Sequence, residues 1–249
     1  TFGEGFHNYP TWSPDGQYVV FDSIGQGIFQ ARSDGAGRPQ ALIENKGVMV
    51  PWSFTPDGKR LAYFQHTANT QIWTVPIEDQ GGRLKAGTPE QFLKSSFDDT
   101  SSAFSPDGRW LAYLSNESGK NEVYVRAFPP PSSSSESGRQ GGKWQISNSG
   151  GGAPRWSRTG HDLLYRSGDQ IMAAGYTVKG DTFVPEKPRV WIAKLGGTSW
   201  DPAPDGKRVM VMIPVESPGG TESAPKPEHE IVMLLNFFDE LRRKVPVAK

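Results

Sequence analysis

Apolar residues in this chain come in short runs, set between polar stretches and turn residues, and the arrangement repeats. Val19-Val20-Phe21, Leu61-Ala62-Tyr63, Leu111-Ala112-Tyr113, Leu163-Leu164-Tyr165 and Val209-Met210-Val211 each start three residues after a glycine. Runs this short, rich in β-branched and aromatic side chains, predict buried strands. Another short segment precedes each glycine and ends in Trp12, Phe54, Phe104, Trp156 or Pro202, so each unit reads strand, tight turn, strand.

The turns are Ser13-Pro14-Asp15-Gly16, Thr55-Pro56-Asp57-Gly58, Ser105-Pro106-Asp107-Gly108, Ser157-Arg158-Thr159-Gly160 and Ala203-Pro204-Asp205-Gly206, with glycines 42, 50, 52 and 46 residues apart. Proline presets φ at the second turn position, Asp suits the third, and Gly accepts the positive φ that leads into the next strand. The fourth turn replaces Pro-Asp with Arg158-Thr159 but keeps Gly160. Third strands follow at Ile28-Phe29-Gln30, Ile72-Trp73-Thr74, Val123-Tyr124-Val125, Ile171-Met172-Ala173 and Ile231-Val232-Met233. Fourth strands are expected at Gln40-Ala41-Leu42, Gln91-Phe92-Leu93, Trp144-Gln145-Ile146 and Val190-Trp191-Ile192.

Four short strands in about 40 to 50 residues make a blade that cannot bury both faces alone, which predicts an all-β fold, a β-propeller with five blades visible in the sequence. The blades are expected near 8–43, 49–93, 99–147, 152–192 and 198–235, making 1–235 the propeller domain. Residues 1–8 either finish an outer strand of an upstream blade or close the ring onto the last one. The remaining 236–249 read as a short C-terminal helix and tail, with Asn236 as cap, an apolar face of Phe237, Phe238 and Leu241, and Pro246 as stop. The Pro/Ser/Gly-rich stretch 129–142 reads as a mobile loop, and 214–229 as a solvated insertion.

Trp12-Ser13-Pro14-Asp15-Gly16, and Phe104 to Gly108 followed by Trp110-Leu111-Ala112-Tyr113, resemble the WD40-like repeats of TolB-type propellers. Asn116 to Gly119, Glu122-Val123-Tyr124-Val125, Lys143 to Ser147 and the tail 235–241 are similar to the C-terminal propeller of bacterial proteins, many of which carry an N-terminal Ser/Thr kinase domain. This resemblance implies a bacterial sensor or interaction module, often extracytoplasmic or periplasmic, with further repeats upstream. TolB-type domains usually have six blades, so it also implies a ring larger than the five units seen here.

Of 249 residues, 29 are Gly and 21 are Pro, which disfavours long helices. Lys plus Arg equal Asp plus Glu at 27 each, leaving no net field for nucleic acid, and no apolar stretch is long enough to span a bilayer. With no cysteine, thiol nucleophiles, disulfides and Cys-based zinc sites are excluded. His7, His66, His161 and His229 have no metal-binding spacing, and His229-Glu230 lacks a second His, Met233 standing in its place. Hydrolase elbows, Walker loops and kinase catalytic-loop motifs are absent from this sequence, so no catalytic residue, metal or cofactor is assigned. The repeated Asp15, Asp57, Asp107 and Asp205 read as turn residues bonding their own backbone, and Tyr63, Tyr113 and Tyr165 as packing between blades.

Fold analogy places a binding face where loops gather around the channel mouth. The ligand-binding candidates are His7, Tyr9, Asp98, Asp99, Arg155, Trp200 and Asp201, with Asn8, Thr100, His66, Asn69, Asn116, Glu117 and Lys120 on neighbouring loops. Mixed acidic, basic and aromatic residues suit a protein, a peptide or a small polar ligand better than nucleic acid. The leading expectation is a monomeric, non-catalytic binding module. The alternatives are a hydrolase with a metal near Asp99, Asp201 and His7, or the accessory propeller of a serine peptidase.

Overall fold

The computed structural model describes residues 7–130 and 142–213. Strands β1 (His7–Trp12), β2 (Tyr18–Ser23), β3 (Gly27–Arg32) and β4 (Gln40–Glu44) form an antiparallel sheet in chain order, the first blade. The second is β5 (Met49–Phe54), β6 (Arg60–His66), β7 (Thr70–Asp79) and β8 (Leu84–Ala86), with β9 (Glu90–Gln91) also on β7. The third is β10 (Asp99–Phe104), β11 (Trp110–Ser115), β12 (Glu122–Ala127) and β13 (Lys143–Gln145). The fourth is β14 (Gly152–Trp156), β15 (Asp162–Ser167), β16 (Gln170–Lys179) and β17 (Thr182–Pro185), with β18 (Arg189–Ile192) also on β16. A hairpin of β19 (Ser199–Pro202) and β20 (Val209–Met212) begins the fifth. The expected strand Ile231-Val232-Met233, the C-terminal helix, the insertion 214–229 and most of the loop 129–142 lie outside the described residues.

The repeated turn is held by one hydrogen-bond pattern. The hydroxyl of Ser13, Thr55 or Ser105 donates to the Asp two residues on, at 2.5, 2.6 and 2.5 Å, and accepts the backbone N–H that starts the next strand. The same carboxylate accepts the N–H two residues further along, from Gln17, Lys59 or Arg109, and Asp205 does so from Lys207. Gly16, Gly58, Gly108 and Gly206 all take φ between 66° and 72°, which an L side chain resists. The fourth turn differs: Gly160 is not in the positive-φ region, and its N–H donates to Ser157 Oγ at 3.1 Å. Without an Asp at position 159 the carboxylate bridge cannot form, and the Ser157 side chain closes the turn instead.

Second-strand residues alternate between neighbouring blades, as a period of two requires. Leu61 and Tyr63 pack toward the first blade and Ala62 toward the third; Leu111 and Tyr113 pack toward the second and Ala112 toward the fourth. Leu163 and Tyr165 continue the column, which confirms inter-blade packing as the role of the three tyrosines. The residue ending the inner strand of the second, third and fourth blades is a wedge against the preceding blade. Phe54, Phe104 and Trp156 are each 7% exposed, and Trp156 Nε1 donates to Ala103 O at 2.9 Å. Burial on this scale contributes roughly 1.5–3 kcal/mol per side chain.

Outer strands of the second and fourth blades correct the sequence reading. Their third strands run ten residues, and the outer half of each folds back on a strand that sequence reasoning missed, β8 or β17, before the chain returns as β9 or β18. These hairpins clasp the preceding blade. Gln30 exchanges two 2.7 Å bonds with the Leu84 backbone, and the Tyr18 hydroxyl donates to Asp79. Phe183, 1% exposed, sits against Trp110 and Trp144, while Arg109 bonds Gly180 O and Asp181.

Candidate binding channel

The inner strands of all five sheets line one cavity of about 960 Å³, whose wall includes Tyr9, Trp52, Ser102, Arg155, Trp200 and Asp201. Local backbone geometry decides which side chains reach it. In β1, β10 and β14 the register with the second strand slips, between Asn8 and Thr11, Thr100 and Ala103, and Gly152 and Arg155. Each slip contains a non-glycine residue at positive φ: Tyr9 at 48°, Ser101 at 51° and Ala153 at 46°, all seven positions before the turn glycine or Gly160. Proline cannot adopt such a φ, and in β5, where Pro51 holds that place, the slip falls between Pro51 and Ser53. Bulges re-aim side chains, and strained φ values gather at functional sites.

The next position along, six before the same glycine, is Pro10, Trp52, Ser102, Pro154 and Trp200 in the five blades. Trp52 Nε1, Ser102 Oγ and Trp200 Nε1 are buried and have no hydrogen-bond partner among the described residues. Two other buried atoms share that state, Arg60 Nε and Trp110 Nε1, and neither residue lines this cavity. One position further, Arg155 Nε meets Asp201 Oδ1 at 3.3 Å, joining the fourth blade to the fifth. The Arg155 side chain is packed into the wall with 29% of its surface left open; that burial lowers its pKa and the Asp201 charge opposes the shift. Arg158, exposed and standing where other turns have Pro, also lines the cavity and has no ion pair among the described residues.

Of the sequence candidates, Tyr9, Arg155, Trp200 and Asp201 thus converge on one channel. Asp98 and Asp99 do not line it. Asp98 accepts from the Thr70 N–H at 2.8 Å and from Asn116 Nδ2 at 3.2 Å, and the Thr70 bond is the main cause of its lowered pKa. Asp99 is 1% exposed and accepts from Ser95 Oγ at 2.5 Å; burial raises its pKa against the Ser115 and Ser95 hydrogen bonds. The expected grouping of Asp99 with Asp201 is therefore not made: the two adjacent aspartates staple the crossing between the second and third blades. His7 opens β1, paired with Ser23, and Asn8 donates its N–H to Asp22. Thr100 pairs with Leu114. The other loop residues bond nearby groups of the fold: His66 with Thr70, Asn69 with Ser96 O, Glu117 with Lys143, and Lys120 with Asn148 O. Among the described residues, no three His, Asp or Glu side chains are grouped to hold a metal ion.

Sequence reasoning missed Trp52, Ser102 and Arg158. The signal was present in the repeat itself, since aligning the five turns by their glycines puts Trp52 and Ser102 in the column of Trp200, and Arg158 alone breaks the Pro column.

No family model matches the chain. Among solved structures it is similar to an oligogalacturonate lyase in complex with manganese, with a TM-score of 0.54 and 11% identity over 84% of this chain and 59% of that one. It is also similar to TolB from Acinetobacter baumannii, with a TM-score of 0.49 and 19% identity over 74% of this chain. The tricorn protease matches at 0.49 and 14%, over 84% of this chain and 24% of that one. The fold is a β-propeller. At these identities the likeness concerns fold alone, and the chain spans 44% of the TolB chain it matches. No helix among the described residues is long and apolar enough to cross a membrane.

Proposed function

We propose that this propeller is a non-catalytic binding module that receives an extended peptide, or a small polar ligand of like chemistry, in the channel between its inner strands. The observation that carries the reading is the column of Trp52, Ser102 and Trp200, the same position of three inner strands, which lines the channel with its buried polar atoms unused. Aromatic rings and the prolines 10, 51, 56 and 202 supply a stiff apolar surface of the kind that reads extended chains. Arg155 and Asp201, held to each other, give the wall polar points that fix a ligand's register. The mixed charge of the wall argues for a protein or peptide partner and against nucleic acid. The resemblance of the turns to those of TolB-type and kinase-linked propellers supports a bacterial, extracytoplasmic setting in a longer protein.

The test is binding of a pool of randomised peptides with blocked ends to the chain and to its Arg155→Met, Asp201→Asn double variant, with circular dichroism to show that the variant folds. Affinity is expected to fall by about tenfold, a loss on the order of 1.4 kcal/mol. A folded variant that binds the same peptides equally well refutes a channel site.

A further inference from the structure

The channel wall is one-sided in its unmet hydrogen bonds, and this deepens the reading of it as a ligand site, on which the inference rests. Indole N–H groups can only donate, so Trp52 Nε1 and Trp200 Nε1 each call for an acceptor, and the Ser102 hydroxyl between them in chain order has a proton to give. Ser102 is 1% exposed and Trp200 6%. Several acceptors of the wall already have partners. Asp201 faces Arg155, Ser53 Oγ accepts the Phe104 N–H at 3.1 Å, and Ser105 is bound to Asp107 and Trp110 within its turn. The buried atoms left without partners along this wall are two indole N–H groups and one hydroxyl, all able to donate, and Arg158 adds a cation.

We infer that the channel recognises a carboxylate carried on an apolar or proline-bearing extended segment, with Trp52, Ser102 and Trp200 donating to its oxygens and Arg158 supplying positive charge. A carboxylate offers two acceptor oxygens and about four lone-pair sites, enough for three donors at once. Charge-assisted bonds are roughly twice as strong as neutral ones, and their worth rises away from water. Burial of the three donor atoms also means that side chains around them give way as the acceptor enters. The carboxylate has two sources in a peptide, an acidic side chain or the chain end.

The experiment follows the tryptophan indole N–H signals of the intact ¹⁵N-labelled chain at neutral pH, assigned with Trp52→Phe and Trp200→Phe. Three probes are titrated: N-acetylglycine as a chain end, N-acetylaspartate N-methylamide as an acidic side chain, and N-acetylglycinamide as the neutral control. Saturable downfield shifts of both indole signals with either carboxylate, and none with the amide, are expected; the tighter of the two carboxylates identifies the source. Ser102→Ala and Arg158→Met, neither of which removes a contact that holds the fold, should each weaken the carboxylate by about tenfold. Equal shifts with the amide, or no saturable shift with either carboxylate, overturn the inference. If the peptide pool still responds to the Arg155→Met, Asp201→Asn variant in that case, the channel remains a binding site and only its carboxylate chemistry is refuted.

Discussion

Ser102 and Ser105 lie three residues apart on and just beyond β10, are 1% and 0% exposed, and live in opposite chemical conditions. Ser105, in the turn, donates to Asp107 and accepts from Trp110, and the same arrangement recurs at Ser13 and Thr55. Ser102, in the bulge beside the strained Ser101, has no hydrogen-bond partner among the described residues. A buried hydroxyl without a bond costs stability, so one end of the inner strand is built for the fold and the other retains polar groups the fold does not use. The difference separates the residues that repeat because every blade must turn from those that vary because the channel differs around the ring.

The comparison can be broken most forcefully at the turn. Gly58→Val forces a β-branched residue to φ 72° and should destabilise by about 2 kcal/mol, read as a shift in the urea unfolding midpoint. An unchanged midpoint would remove the turn from the structural side of the comparison. Asp107→Ala strips the acceptor from Ser105 and from the Arg109 N–H, with an expected loss of about 1 kcal/mol in the same measurement and no change in peptide binding.

Acid gives a smaller and graded effect. The Ser13 and Thr55 hydroxyls hold the carboxyls of Asp15 and Asp57 below the usual range, and a backbone N–H does the same for Asp205. Because these pKa values are lower in the folded chain, their stabilisation is present above the ordinary carboxylate value near 3.9 and is lost as pH falls through the folded values. Asp99, raised by burial, acts with the opposite sign, since its ionisation costs stability as pH climbs from the ordinary value through the raised one. Unfolding midpoints followed downward from pH about 5 should therefore fall less steeply in an Asp15→Asn, Asp57→Asn variant than in the parent chain. Equal slopes would mean the turn carboxylates are not the structural charges.

The blades were readable because their residues obey local rules. Pro-Asp-Gly sets a turn wherever it occurs, and Leu61-Ala62-Tyr63 and its counterparts alternate between two neighbouring sheets. The β8 and β17 hairpins escaped because they are defined by what they clasp: Phe183 becomes core only once Trp110 and Trp144 of another blade are beside it. Within the site, Arg155, Trp200, Asp201 and Tyr9 were found by their place before the turns, whereas Asp98 and Asp99 were misplaced because adjacent acids in a loop look the same whether they face a channel or a hydroxyl. Trp52 and Ser102 depend on a one-residue bulge, and such a slip leaves no mark in the pattern of apolar runs.

Thermal unfolding of Ser102→Ala beside Ser105→Ala weighs the two ends of one strand with a single oxygen removed from each. Ser105→Ala is expected to lower stability by about 1 kcal/mol or more, while Ser102→Ala leaves it unchanged or raises it. Equal losses in the two variants would contradict the division between a turn that serves the fold and a bulge that serves the channel.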